Sequence, residues 1–300
     1  MIKNFFKIAF RNMAKSKTYS LINILGLAVG LAVSMLIGLW IYDEVSFNKY
    51  HPNYDKIAQL YTTQTFNKET STHMAIAIPI AGELRSKYAA DFKYVSLGSW
   101  NFSHVLGVGN KKISQEGMWV EADFPKILGL KMQQGSANAL NDPSSVLLSN
   151  TLAKTLFGTE DPMNKPIKLD NQTEVKVAGV YEDLPHNSNF YPTKLLLSWK
   201  KYASMEPWIK DAETQWGNHS FQLFVLMNDN SDFDKTTAKI RLIPKAHVDE
   251  GKEEVLLHPM RKWHLYSEFK NGKVVGGRIE FVWLFGIIGI FVLLLAVSTS

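Results

Sequence analysis

The sequence predicts an α+β extracytoplasmic domain of two lobes, flanked by two transmembrane helices. Three observations point there. Two long uncharged apolar stretches lie near the ends of the chain, the segment between them carries balanced charge, and that segment alternates short strand patterns with short helical ones.

Residues 19–42 read YSLINILGLAVGLAVSMLIGLWIY, twenty-four residues without a charge. About 20 helical residues cross the hydrocarbon of a bilayer, and a soluble core helix is seldom this long and apolar all round. Gly26, Gly30, Ser34 and Gly38 recur every four residues and so share one face. Small residues at that spacing let helices in lipid approach closely. The competing explanation is that glycine is simply frequent in membrane helices; the regular spacing favours a packing face. Lys3, Lys7, Arg11, Lys15 and Lys17 precede the stretch without any acid, and Asp43 and Glu44 follow it. Positive flanks stay cytoplasmic, so residue 43 onward is expected outside. A cleaved signal peptide fits poorly, because the apolar run is too long and no small-residue cleavage site follows. Residues 281–300, FVWLFGIIGIFVLLLAVSTS, form the second span. Residues 43–280 are therefore expected outside, tied to the membrane at both ends.

The net charge of +5 belongs to the tail: without its five cations, 28 basic residues face 28 acidic ones. A neutral outer domain offers no electrostatic support for a nucleic-acid partner. The absence of cysteine removes thiolate metal sites, redox motifs and cysteine nucleophiles. A domain of this size buries a core without disulfides.

Taken in order, residues 1–18 are expected as an amphipathic basic helix on the cytoplasmic side. Phe5, Phe6 and Phe10 lie on its apolar face, and Lys3, Lys7 and Arg11 step by fours on the other. Such a helix lies in the membrane surface among anionic headgroups; the periodicity favours this over a flank that only sets topology. Residues 43–59 extend the span briefly and break at His51-Pro52. Strands are expected at 57–66 and 72–78, a helix from Pro79, and a glycine-broken strand over 92–108. These make the membrane-near lobe, about 43–108, completed by 220–280. The inserted lobe, about 109–219, begins with a strand at 113–122 and a helical turn from Asp123 to Gly129. A strand at 145–148 leads into a helix capped by Ser149 or Asn150 and closed by Gly158. A hairpin is expected from 166–169 and 174–180, and a further strand at 195–199. Back in the first lobe come a strongly apolar strand at 221–227, a helix at 232–242 and a strand at 254–258.

No phosphate-binding G-x-x-x-x-G-K-[ST], no G-x-S-x-G and no H-E-x-x-H occurs, and the eight histidines are scattered. No catalytic, metal or cofactor site is therefore expected. Glu182, Asp183, His186 and Ser188 gather a carboxylate, an imidazole and a hydroxyl around Pro185, but the turn-forming residues read as a loop. Trp199, Tyr202, Trp208 and Trp216 fit lobe core better than a partner-contact surface.

Several segments resemble the MacB/FtsX-like permeases, in particular their Bacteroidetes forms. They are Ile22–Gly30 (INILGLAVG), Glu44–His51 (EVSFNKYH), the stretch from Ala122-Asp123-Phe124 to Gly135, the stretch from Asp142-Pro143 to Phe157-Gly158, and Val177–Asn189 (VAGVYEDLPHNSN). The resemblance covers nearly the whole chain. It implies a MacB-like periplasmic core domain on a non-catalytic ABC-transporter permease subunit, multi-pass in the cell inner membrane. It further implies a cytoplasmic ABC ATPase on a separate chain, a second permease copy or homologue as dimer partner, and a periplasmic adaptor. Helix motion driven by ATP would be relayed outward for efflux or mechanotransmission. Family members carry four or more spans, so a two-span chain is expected to be an N-terminal part of such a permease. The alternative is a two-span membrane-anchored sensor or binding domain without transport activity. A tethered hydrolase has no motif in its favour.

Overall fold

The computed structural model describes residue 11, residues 15–248 and residues 253–298. It comprises two compact units, a pair of apolar helices and a body of residues 47–275.

Helix α1 (Lys17–Ser46) has 30 residues and ends just before Asn48, whose φ of +64° no right-handed helix accommodates. At 1.5 Å per residue it is about 45 Å long, so the expected span of 19–42 lies wholly inside it. Helix α9 (Ile279–Ser298) has 20 residues and starts two residues earlier than expected.

The body begins with strand β1 (Ile57–Phe66), which turns through Asn67 and Lys68 into β2 (Glu69–His73). This corrects the expected second strand at 72–78. Both turn residues have positive φ, so the chain reverses without a glycine to mark it. Helix α2 (Pro79–Lys87) then leads to β3 (Phe92–Gly98). Late in the chain, β11 (Gln222–Met227), α7 (Phe233–Ile240) and β12 (Glu253–Pro259) repeat the β-α-β rhythm. The sheet order is β3-β11-β1-β12, antiparallel throughout. This is the split β-α-β arrangement of ferredoxin-like folds.

Everything between β3 and β11 is an insertion. Strands β4 (Phe102–Val108) and β5 (Lys111–Val120) form its opening hairpin. Helix α3 (Phe124–Leu128) and β6 (Met132–Gly135) follow, then β7 (Ser145–Ser149), α4 (Asn150–Phe157), β8 (Pro166–Leu169), β9 (Thr173–Tyr181) and β10 (Leu195–Ser198). Pairing runs β4-β5-β10-β7-β9-β8 and returns to β4, closing a ring of strands. The first sheet joins it through a single pair, Gly98 with Val120. β4 therefore belongs with the insertion, which begins near residue 99 and not at 109: the strand expected over 92–108 is two strands, parted at residues 99–101. Helices α5 (Trp199–Met205) and α6 (Pro207–Ala212), where a strand end and an aromatic run were expected, complete the insertion. Near the end of the body, α8 (Met260–Trp263) precedes a hairpin of β13 (Glu268–Lys270) and β14 (Lys273–Gly276) about Asn271-Gly272.

The apolar run of β11 follows from burial on both faces. Leu223, Val225 and Met227 pack with Ile80, Leu84 and Ile240 from the helices on one side. Phe224 and Leu226 face the opposite way, onto Phe124, Ile127 and Phe190. A third core, with Leu106, Trp119, Val146 and Val177, fills the ring.

Candidate functional site

In the helix pair, two of the four small residues on the expected packing face of α1 meet α9. A side chain added at Gly30 would collide with Ala296, and Ser34 Oγ donates to the Gly289 carbonyl at 3.1 Å. Gly289 in turn admits Ile37, whose branch methyl would lie 3.1 Å from an added Cβ. Trp40 meets Phe285 edge-on at 5.1 Å. Gly26 and Gly38 have nothing within 4 Å of a built Cβ, so α9 leaves them uncovered. At the end of α1, Glu44 is 6% exposed and accepts from Arg278 Nη1 at 3.1 Å. The two partners lie 234 residues apart in the chain, so local charge pattern does not reveal the pair. Of the surface-helix residues, Lys3, Phe5, Phe6, Lys7 and Phe10 lie outside the described residues, and Arg11 is exposed.

The body fastens the chain immediately after α1. Phe47 stacks flat on His264 at 3.6 Å. Asn48 donates its backbone N–H to the Asn187 carbonyl at 2.7 Å. Its side chain donates to Asn189 Oδ1 at 2.6 Å and accepts from Asn189 N–H at 2.9 Å. His51 Nδ1–H donates to the Leu128 carbonyl at 3.1 Å, which leaves Nε2 to accept from the Ser188 hydroxyl at 2.9 Å. Burial holds the His51 pKa below the usual imidazole range. Two polar segments, 47–51 and 187–189, thus interlock although some 140 residues separate them. His51 and Ser188 are each 2% exposed. The histidine's other nitrogen meets a carbonyl where hydrolases place a carboxylate, so the pair is an anchor. The remaining members of the 182–188 group diverge: Asp183 accepts from the Thr151 hydroxyl at 2.8 Å at the start of α4, and Glu182 pairs with Lys131 at 3.7 Å.

A cleft of about 560 Å³ opens on the face of the first sheet that looks toward the ring. The alternation that turns Ile57, Phe224 and Leu226 into core continues outward as Gln59, Tyr61 and Gln222. Trp100, Met118, Phe190 and Phe269 add walls, and Met74 stands at the surface, 41% exposed. Most polar groups of the lining are already partnered. Gln59 donates to Gln222 at 2.8 Å, Gln222 donates to the Ser99 carbonyl at 2.9 Å, and Trp100 Nε1 donates to the Ser220 carbonyl at 3.0 Å. Tyr61 lies between His258 and Phe269, at 4.9 and 5.3 Å. Burial pushes its phenol up to about 12. Burial and then Lys262 push His258 down to about 4, and burial followed by His219 lowers His73. All three are uncharged at neutral pH. His258 is 1% exposed, and its Nε2 has no partner among the described residues.

The aromatic run divides. Trp199 and Tyr202 pack into cores and Trp216 stacks on His247, while Trp208 lies on Phe221 and stays 42% exposed. Among the described residues no group of three or more His, Asp or Glu could hold a metal ion.

Comparison with known proteins gives one family match, to the MacB-like periplasmic core domain over residues 20–243. The fold is similar to a domain of a protein named as a permease from Porphyromonas gingivalis, with 20% identity and a TM-score of 0.58 over 70% of this chain and 91% of that one. It is also similar to the periplasmic region of MacB from Actinobacillus actinomycetemcomitans, with 17% identity and a TM-score of 0.52 over the same shares. No curated protein sequence matches the chain.

Proposed function

Because this chain belongs to the MacB-like periplasmic core domain family, we propose that it serves as a permease subunit of an ABC-type transporter and relays motion from membrane helices to a periplasmic body. One observation carries the proposal. Both ends of a single folded body run into apolar helices that pack on each other, with Glu44 of α1 ion-paired to Arg278 just before α9. In this reading residues 1–18 are cytoplasmic, α1 and α9 cross the inner membrane, and the body works on the periplasmic side. The Glu44–Arg278 pair and the contact at Gly30 make the helices shift together. The anchor of Phe47, Asn48 and His51 holds the first residues of the body, the point at which that shift enters it. Gly26 and Gly38 form the part of the small-residue face left for helices of a second permease copy. Phosphate hydrolysis belongs to a separate cytoplasmic ATPase, and an adaptor meets the body outside. The chain itself performs no bond-making chemistry.

Copurification tests the proposal. The full chain, expressed with a phosphate-loop ATPase of the ABC class from the same genome, is expected to hold that ATPase through purification and to raise its turnover severalfold. An ATPase that neither binds nor responds would contradict the transport reading and favour a membrane-anchored sensor.

A further inference from the structure

The cleft on the first sheet differs in charge from other clefts of the body. Those beside Arg241 and Glu254, beside Arg85 and Glu121, and beside Lys154 and Glu160 all carry cations and carboxylates. Among the described residues, the cleft about Tyr61 is lined without a single Asp, Glu, Lys or Arg. Its one lining histidine, His73, is held neutral, with Nε2 engaged by Gln64 Oε1 at 3.1 Å. Its apolar walls are aromatic and thioether side chains, Trp100, Phe269, Phe190, Met74 and Met118, and its small polar groups include Thr72, Thr193 and Ser267. The amides that could greet a polar ligand are bonded to protein groups instead. Two hydroxyls of the lining, those of Tyr61 and Ser267, make no hydrogen bond among the described residues. Ser267 lies at the exposed rim, whereas the Tyr61 phenol stands on the sheet inside the cleft and is not one of the sealed polar atoms of the body.

These features select a ligand class. A charged molecule entering a wall without counter-charge would lose hydration and gain no partner. Volumes of roughly 300–1,000 Å³ with apolar walls and a few placed polar groups are the usual form of small-molecule sites. We infer that this cleft binds a small uncharged molecule, apolar over most of its surface, whose hydroxyl or carbonyl oxygen accepts from the Tyr61 phenol. The assignment concerns the body alone and does not depend on how the helices are driven.

Photolabelling of the full chain in lipid nanodiscs tests it. The probe is 4-[3-(trifluoromethyl)diazirin-3-yl]benzyl alcohol, and the matched benzoic acid is its anionic control. Adducts are mapped by peptide mass spectrometry, so that labelling of the lipid-facing helices is scored separately. The alcohol is expected to label residues 72–75 and 100–101, and excess 4-(trifluoromethyl)benzyl alcohol to compete it away. The acid should label there about tenfold less. Tyr61→Phe should weaken the competition constant about fivefold, the loss of one hydrogen bond. Met74→Lys, at an exposed position that tolerates lysine, should abolish the label and leave the melting temperature unchanged. Uncompeted adducts, equal labelling by the acid, or wild-type labelling of Met74→Lys would each overturn the assignment.

Discussion

Asn48→Ala is expected to lower the stability of the body by about 3 kcal/mol, which for a body of this size is a fall of about 6–12 °C in melting temperature. Two causes add. Asn48 has a φ of +64°, where alanine costs about 1 kcal/mol more than asparagine does. The substitution also leaves Asn189 without its two side-chain partners, in a region where Asn48 is 1% exposed. Asn48→Gly separates the causes: it relieves the backbone and restores no hydrogen bond, so it should recover about a third of the loss. Thermal melts of the full chain check this. Asn48→Ala melting within about 2 °C of the unchanged protein would show that the interlock of segments 47–51 and 187–189 carries little energy.

The second large effect is acid lability centred on His258. Burial holds this imidazole at about 4, against an ordinary value near 6.5. The unfolded chain therefore binds the proton first as pH falls. Between about pH 6.5 and pH 4 the unfolded state carries more protons than the folded one, so stability declines across that window and levels off below it. The full decline attributable to His258 is roughly 3 kcal/mol. His51 and His73, also lowered by burial, add losses of the same sign. His258→Phe removes the group and suits the aromatic wall of Tyr61 and Phe269. Its stability should fall less than that of the unchanged protein between pH 7.5 and pH 4, by roughly 3 kcal/mol. Denaturant melts at the two pH values measure the difference, and carboxylate titrations common to both proteins cancel. Equal declines would mean that His258 is hydrated in the folded body.

Much of the fold was legible because its signals are local. Uninterrupted apolarity marked α1 and α9, and six consecutive buried residues made β11 stand out. Serine before and glycine after bounded α4. The errors came where local signals were weak or misleading. The β1–β2 turn runs through Asn67-Lys68 at positive φ, with no glycine to mark it. The hairpin about Asn271-Gly272 carries a turn signal but lies beyond the last expected strand, close to the second apolar stretch. β4 shifted to the insertion because pairing, unlike strand character, is a long-range property. For the same reason the clasp of Glu44 with Arg278 and the anchor of Asn48 with Asn189 were hidden. Periodicity reports which face a residue occupies, and it does not report which distant segment meets that face. The local hint is compositional: segment 47–51 holds an asparagine and a histidine, and segment 187–189 two asparagines and a serine. The cleft was less legible still, since its walls come from strands far apart in the chain.

The central claim, a periplasmic body carried on two membrane helices, meets its most direct test in the side of the membrane each segment occupies. The chain has no cysteine, so single cysteines report without background. Lys165→Cys in the body and Lys17→Cys at the start of α1 are treated in intact cells with a sulfonated, membrane-impermeant maleimide. The account predicts full labelling of Lys165→Cys in intact cells, and labelling of Lys17→Cys only after the inner membrane is opened. Protection of Lys165→Cys until the membrane is opened would contradict it.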